Sequence, residues 1–170
     1  MTDREPGTGP GTAGADVQGA RDRRYVILAA AFNEPVVEKL VDGARSCFGE
    51  RGVPDDNVTV AWTPGAFELP LAAKAAAASG RFDAVVCLGA VIRGETSHFD
   101  FVAGEAARGI REAGMQTGVP VIFGVLTTDT VQQALERAGG AHGNKGCEAA
   151  RAAMQMVTFL DQFRVDTGGE

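Results

Sequence analysis

Four short apolar runs, each followed by a stretch with helical spacing, limit the folds open to this 170-residue chain more than any other feature. The runs cover residues 25–31, 58–62, 84–92 and 119–126. They are mostly apolar over their whole length, whereas a strand with one face in water would alternate apolar and polar residues. Apolar strands separated by helices predict a parallel sheet that is covered on both faces. The expected fold is therefore α/β, a three-layer α/β/α sandwich around a four-stranded parallel sheet.

The segments between and after these runs carry signals for helix starts. Asn33 can cap the helix that follows the first run, and Asn144 can cap the last helix. Ser97 and Asp100 have the spacing of a capping box, which places another helix start near Ser97. Strand and helix then alternate four times before one further helix, an order typical of a flavodoxin-like architecture.

The chain is expected to form one domain over residues 23–165. Residues 1–22 are rich in glycine, threonine, alanine and charged residues and nearly lack large apolar side chains, so they are predicted to be a disordered N-terminal tail. Residues 166–170 are predicted to be a short C-terminal tail.

Composition argues against several classes of function. A formal net charge of −6 is unlike that of nucleic-acid binders, which usually carry a basic patch. No apolar run reaches the length of a membrane span and residues 1–20 lack the apolar core of a signal peptide, so a cytoplasmic protein is expected. The three cysteines form no Cys-x-x-Cys pair and the two histidines lack ligand partners, so no metal is expected.

Polar and aromatic residues concentrate at the ends of the predicted strands. Ligands of open parallel sheets bind beyond the carboxyl ends of the strands. The sequence therefore points to four segments for a site, namely residues 32–33, 63–68, 93–98 and 127–129.

Residues 93–98 form the segment richest in candidate chemistry. A helix that begins near Ser97 would point the backbone N–H groups of residues 94–96 out of its N-terminus, which suits an anion such as phosphate. His98 would lie in the first turn, where the positive helix end disfavours an imidazolium, and a neutral imidazole can act as a base. The alternative is a helix-capping loop that carries a surface histidine.

Other residues allow two interpretations each. Glu68 could accept hydrogen bonds from ligand hydroxyls, or it could be an acid in the first turn of a helix. Phe32 could stack on a flat ring or close the core, and Phe123, inside the fourth strand, is expected in the core. The glycine-rich residues 137–146 could shape the backbone around an anion or form a flexible hinge, and Lys145 lies against the dipole of the following helix.

Five stretches, in order and register from about residue 24 to residue 160, resemble the lumazine synthase family. They are Phe32-Asn33-Glu34, residues 64–70, residues 89–99, residues 120–128, and residues 137–139 with 143–146. The resemblance implies a transferase of riboflavin biosynthesis that needs no metal or organic cofactor. Its reaction would condense 5-amino-6-(D-ribitylamino)uracil with 3,4-dihydroxy-2-butanone 4-phosphate to 6,7-dimethyl-8-ribityllumazine, the penultimate step of that pathway.

The resemblance also implies roles for individual residues. Phe32 would stack on the pyrimidine, and His98 would transfer protons. Ala66, Phe67 and Glu68 would hold the ribityl chain, and the backbone of Val91 and Ile92 would contact the heterocycle. Gly94, Glu95 and Thr96 would bind the phosphate. A neighbouring subunit would contribute Phe123, Arg137 and Lys145, with Arg137 on the phosphate and Lys145 near the pyrimidine. Glu148 matches a position that often carries an acidic residue in the family, and its role is less defined.

Assembly is part of what the resemblance implies. Members form pentamers, which in many cases build sixty-subunit shells, and riboflavin synthase is a candidate partner. Two alternatives stay open at this point. One is a non-catalytic relative that only binds lumazine or flavin, or serves as a shell. The other is an FMN carrier, which would need a Ser/Thr-rich loop after the first strand, where this sequence has Phe32-Asn33-Glu34-Pro35.

Overall fold

The computed structural model describes residues 17–164, and all of its regular elements lie in that range. Six helices and six strands follow each other along it. In chain order they are α1 (Val17–Arg21), β1 (Tyr25–Ala30), α2 (Glu34–Glu50), β2 (Val58–Thr63), α3 (Leu69–Ala78), β3 (Ala84–Ile92), α4 (His98–Thr117), β4 (Val121–Thr128), α5 (Val131–Arg137), β5 (Ala138–Gly140), β6 (Gly143–Asn144) and α6 (Lys145–Asp161).

The first four strands form one parallel sheet in the order β2-β1-β3-β4. This confirms the predicted α/β fold and its four-stranded parallel sheet. Strand β4 begins two residues later than predicted, because Pro120 has no N–H group to donate to a neighbouring strand. The Pro120 carbonyl oxygen still accepts a hydrogen bond of 2.8 Å from Val85 N–H. Pairing then continues to Ile92 and Thr128, which carries both strands to the same edge.

Both faces of the central strands β1 and β3 are buried, which gives the predicted three layers. In β1, Tyr25, Ile27 and Ala29 belong to a core with α2 and α6. The alternate residues Val26 and Leu28 belong to a second core, with α3 and α4. A strand that is buried on both sides cannot alternate in polarity, which explains the continuous apolar runs.

The N-terminal boundary differs from the sequence prediction. Residues 17–21 form α1 inside the segment predicted as tail, and Ala20 is buried. Two hydrogen bonds hold this turn, since Tyr25 Oη donates to the Ala20 carbonyl at 2.9 Å and Arg21 Nε donates to the Arg51 carbonyl at 3.1 Å. The remaining predicted tails, residues 1–16 and 165–170, lie outside the described residues. No helix within 17–164 is both long and apolar enough to cross a membrane.

The predicted helix caps have different outcomes. Asn144 caps α6 as expected, because its Oδ1 accepts from the N–H groups of Gly146 at 2.9 Å and Cys147 at 3.2 Å. The predicted box at Ser97 and Asp100 is wrong, because Ser97 makes no side-chain cap bond to any residue from 17 to 164. The capping box that does form begins α5.

Helices α2 and α6 come into close backbone contact at Gly146. A Cβ at this position would overlap the carbonyl oxygen of Leu40 in the middle of α2. Asn144 reinforces the contact, since its Nδ2 donates to the Lys39 carbonyl at 2.9 Å. The absence of a side chain at residue 146 therefore sets the distance between the two helices on this face of the sheet.

Replacing Gly146 with alanine should lower the free energy of unfolding by about 1–3 kcal/mol, because the added methyl group must push the two backbones apart. Urea unfolding measures this loss. Gly49→Ala is the matched control, since within the described structure nothing lies within 4 Å of a Cβ at that helical position. Equal losses in the two variants would contradict the packing argument.

Candidate functional site

A cavity of about 690 Å³ lies at the carboxyl ends of β1, β2 and β3, and we call it the first cavity. Its walls come from the loops after these strands and from the first turns of α4. Nine residues predicted from the sequence line it, namely Phe32, Ala66, Phe67, Glu68, Val91, Ile92, Gly94, Thr96 and His98. Its remaining lining includes Pro64, Gly65, Ala90, Phe99, Phe101 and Val102.

Phe32 stands at the rim of the first cavity. Two backbone hydrogen bonds extend the pairing of β1 with β2 past the strand ends, from Ala31 N–H to the Thr63 carbonyl at 2.8 Å and from Phe32 N–H to the Pro64 carbonyl at 3.2 Å. The Phe32 side chain is 72% exposed, so the alternative that it closes the core is wrong. An aromatic face held at a rim can stack on a flat ligand ring.

Asn33 has a different role from the predicted one. It makes no side-chain cap for α2 within the described residues, and its backbone has φ 61° and ψ 37°. This is the left-handed region, which asparagine tolerates better than most residues. Its Nδ2 instead donates to the Ala90 carbonyl on β3 at 2.8 Å. Asn33 thus ties the corner after β1 to the strand that forms the floor of the cavity.

The loop after β2 places the next predicted residues. Thr63 Oγ1 donates to the Gly65 carbonyl at 3.1 Å, and a 3₁₀ turn follows at Ala66–Glu68. Ala66 is buried, whereas the side chains of Phe67 and Glu68 are exposed at the cavity. The Glu68 carboxylate lies so close to Gly65 that a Cβ there would be 3.1 Å from Oε2. An apolar wall next to one exposed carboxylate suits a ligand that carries hydroxyl groups.

The turn between β3 and α4 leaves its backbone donors open. The N–H groups of Gly94, Glu95, Thr96 and Ser97 have no hydrogen-bond acceptor among residues 17–164. Gly94 and Thr96 line the first cavity, but the structure does not place Glu95 in the lining. His98 is exposed at the first position of α4, and its own N–H donates to Thr96 Oγ1 at 3.4 Å. Open N–H groups at the start of a long helix are suited to an anion.

Arg93 forms a clamp beside this turn that the sequence reasoning missed. Its Nε lies 3.0 Å from Asp129 Oδ1, its Nη2 lies 3.3 Å from Asp100 Oδ1, and its guanidinium carbon lies 4.2 Å from the centre of the Phe99 ring. Hydrogen bonds to Asp100 and Asp129 raise the pKa of Arg93. The available signal was the position of both Arg93 and Asp129 directly after neighbouring strands, where side chains from the two loops meet.

A second cavity, of about 360 Å³, lies between β4 and α6. It holds three other predicted residues, Phe123, Arg137 and Lys145, together with Glu148. Phe123 is 44% exposed, so its expected place in the core is wrong. Strand β4 is an edge strand of the sheet that the structure describes, and Phe123 lines the open second cavity beside it.

The charges of the second cavity are held by short contacts. Arg137 Nη1 donates to the Gln133 carbonyl in its own helix at 3.0 Å, and Lys145 Nζ lies 2.7 Å from Glu148 Oε2. The glycine-rich segment is no open hinge, because β5 and β6 pair as an antiparallel hairpin within it. Gly139 and Gly143 supply the positive φ values of 107° and 76° that this tight hairpin requires. The hairpin connects Arg137 to Lys145 over a short path.

The two cavities have no lining residue in common within the described part of the chain. The first is walled by α4 and the loop before α3, and the second by α6, which packs on the opposite face of the sheet. The predicted site residues are therefore divided into two groups. One group has aromatic faces, a carboxylate, an imidazole and open N–H donors, and the other has an aromatic ring and two cations. No group of three or more potential metal-binding side chains occurs among the described residues.

A parallel sheet with a cavity at the carboxyl ends of its strands defines an α/β protein whose fold favours ligand binding at that edge. The sequence comparison gives the family. Residues 22–161 match the model of the 6,7-dimethyl-8-ribityllumazine synthase family, and the chain belongs to this family of transferases. The predicted resemblance to lumazine synthases is confirmed, and the match covers most of the chain.

The geometry of Asn33 generates a stability prediction. Asn33→Ala should lower the free energy of unfolding by about 2 kcal/mol, because it loses the bond to Ala90 and is strained at positive φ. Asn33→Gly relieves the strain and should lose only about 1 kcal/mol. Urea unfolding of both variants measures the difference. Alanine and glycine variants of equal stability would show that the left-handed backbone costs nothing here.

Proposed function

We propose that this enzyme condenses 5-amino-6-(D-ribitylamino)uracil with 3,4-dihydroxy-2-butanone 4-phosphate to 6,7-dimethyl-8-ribityllumazine, with release of phosphate and water. This is the penultimate step of riboflavin biosynthesis. The observation that carries the proposal is the first cavity, in which aromatic faces and a carboxylate lie next to a turn with open N–H donors. Family membership supports the same reaction.

The first cavity suits the pyrimidine substrate. The exposed ring of Phe32 can stack on the heterocycle, and the backbone of Val91 and Ile92 lies along the same wall. Phe67 and Ala66 offer apolar contact to the ribityl chain, whose hydroxyls can donate to the Glu68 carboxylate. A ligand with one flat end and one polyhydroxyl end matches this order of side chains.

The turn after β3 suits the phosphate group of the second substrate. A phosphate at Gly94–Thr96 would accept from N–H groups that otherwise lack an acceptor within residues 17–164. The N–H of Glu95 belongs to this set although its side chain lies outside the cavity lining. The dipole of the 20-residue helix α4 favours the same negative charge.

The proposed chemistry needs proton transfer at several steps. The amine of the uracil attacks the ketone carbonyl and water leaves as the imine forms. The phosphate then leaves as the adjacent carbon loses a proton, and the resulting enol becomes a ketone. The second amine attacks this ketone, and the ring closes with loss of a second water. His98 lies at the cavity within one turn of the proposed phosphate position, so its imidazole can take up and return these protons.

We infer that a second copy completes the site. Phe123, Arg137 and Lys145 lie in the second cavity on another face of the molecule, so a ligand bound in the first cavity contacts their counterparts on a neighbouring chain. The exposed ring of Phe123 on an edge strand supports contact with another chain. A pentamer, a sixty-subunit shell, riboflavin synthase as a partner and a cytoplasmic location stay predictions.

Product formation tests the proposal directly. The purified protein, mixed with both substrates, should raise the lumazine absorbance faster than the uncatalysed reaction does. A folded oligomer that does not exceed the uncatalysed rate would favour the alternative of a relative that only binds lumazine or flavin. A yellow protein with tightly bound FMN would favour a flavin carrier, although Phe32-Asn33-Glu34 occupies the loop after β1 where such a carrier needs Ser and Thr.

His98→Ala should slow lumazine formation by about 10²–10⁴-fold, because the variant lacks the proposed proton-transfer group. Steady-state rates at saturating substrates measure this. His142→Ala is the matched control, since His142 is the other histidine of the chain and lies on the β5–β6 hairpin outside both cavities. An unchanged rate in His98→Ala would reject the proton-transfer role.

Arg137→Ala should mainly raise the KM of the phosphorylated substrate, because a cation that faces the phosphate is lost. Initial rates at varied concentrations of each substrate separate the two KM values. Arg45→Ala serves as the control, since the ion pair of Arg45 among residues 17–164 is an exposed one, 3.9 Å from Asp55. If sedimentation shows that the Arg137→Ala oligomer falls apart, Arg137 is structural.

A further inference from the structure

The backbone of Arg93 is fixed where two strands end. Arg93 follows the last residue of β3, and its N–H donates to the Thr128 carbonyl at 2.8 Å, which extends the pairing of β3 with β4 by one residue. The next residue, Gly94, begins the turn with open N–H groups. Arg93 is thus the last residue of the chain that the sheet holds before this turn.

The side chain of Arg93 fixes the other end of the same turn. Its guanidinium bridges Asp100 in the first turn of α4 and Asp129 directly after β4, and it stacks on Phe99. Only a planar guanidinium can point separate N–H groups at two carboxylates while its face lies on an aromatic ring. Both carboxylates lie against its N–H groups, so two of the three guanidinium nitrogens of Arg93 are already engaged within the protein.

This clamp stands in place of a helix cap. Ser97, at the cap position of α4, gives no side-chain bond within the described residues, and Asp100 points to Arg93 and not back to the Ser97 backbone. The first turn of α4 is therefore attached to the sheet through Arg93. The shape of residues 94–97 depends on this attachment, since their N–H groups form no internal hydrogen bonds within the part of the chain that is described.

We propose that Arg93 is a positioning residue, which through Asp100 and Asp129 holds residues 94–97 in the shape that binds the phosphate of the second substrate. The inference rests on the proposed function. It concerns a residue that touches no reacting atom. Exposed ion pairs add little to global stability, so the role of the clamp is local order.

Arg93→Gln should raise the KM of the phosphorylated substrate by about 10–100-fold, because a misplaced binding group lowers affinity for its own ligand. The KM of the pyrimidine substrate and the midpoint of thermal unfolding should stay nearly unchanged. Arg93→Lys keeps the charge but reaches one carboxylate at a time, so it should recover part of the loss. Arg81→Gln is the matched control, since Arg81 also stacks on a phenylalanine, Phe82, but lies at the opposite end of β3.

A mutant cycle separates positioning from direct contact. In the background Asp100→Asn with Asp129→Asn, the further change Arg93→Gln should cost less than a third of its effect in the native chain, because the clamp is already broken. A full effect in that background, or equal rises in both KM values, would overturn the inference.

Binding of inorganic phosphate to the intact protein, measured by calorimetry, keeps the two proposals distinguishable. Weaker phosphate binding in Arg93→Gln than in Arg81→Gln supports the clamp. Native protein that neither binds phosphate nor forms lumazine would refute the proposed function itself. Native protein that does both, with Arg93→Gln equal to the control, would refute only the role of Arg93.

Discussion

The parallel register of β3 with β1 on one side and β4 on the other determines where the chemistry of this protein lies. Ala29 pairs with Leu88, and Ile92 pairs with Thr128, so the three strands end near one edge and release their loops side by side. Gly89 and Gly124 lie in the strands behind that edge. A Cβ on Gly124 would come within 2.6 Å of Leu88 and within 3.1 Å of Ala149, so its absence lets α6 close over β4. A shift of one residue in this register would turn every side chain of the shifted strand to the opposite face of the sheet.

The predicted site residues are divided between the two cavities at this end of the sheet. Side chains after β1, β2 and β3 meet in the first cavity, whereas Phe123 on β4 lines the second. If the site is shared as proposed, the first cavity supplies the aromatic, carboxylate and imidazole groups and the second supplies the two cations for the same substrates. In the account proposed above, binding of substrate and association of copies therefore depend on the same residues, and a separated chain would have little activity.

The sequence was sufficient for the layers of the fold and for the position of the first cavity. Unbroken apolar strands and helical spacing predict a parallel sheet, and the carboxyl-end rule then selects the loops that line this cavity, because both follow from local periodicity and topology. Contacts between distant residues were not predictable in this way. The Asn33 side chain donates to the Ala90 carbonyl, and the Asp100 carboxylate accepts from Arg93 and not from the backbone at Ser97. Both residues nevertheless lie at positions that are typical of helix caps in the sequence. The capping box of Thr130 and Gln133 matched its sequence pattern and was overlooked.

Residue pattern alone did not predict the exposure of Phe32 and Phe123, because an aromatic residue at the end of a strand and one on an edge strand have the same pattern as core residues. Only the family resemblance, which assigns both rings to a ligand site, implied that they are accessible.

A site made by two copies is tested most directly by mixing His98→Ala with Arg137→Ala chains and reassembling them together. About a quarter of the sites in a random equal mixture should combine an intact His98 with an intact Arg137. At a concentration of the phosphorylated substrate well below its KM, the activity of the mixture should therefore rise well above the summed activities of the two parent variants. Activity that stays at that sum would place both residues in a site within one chain and contradict the account.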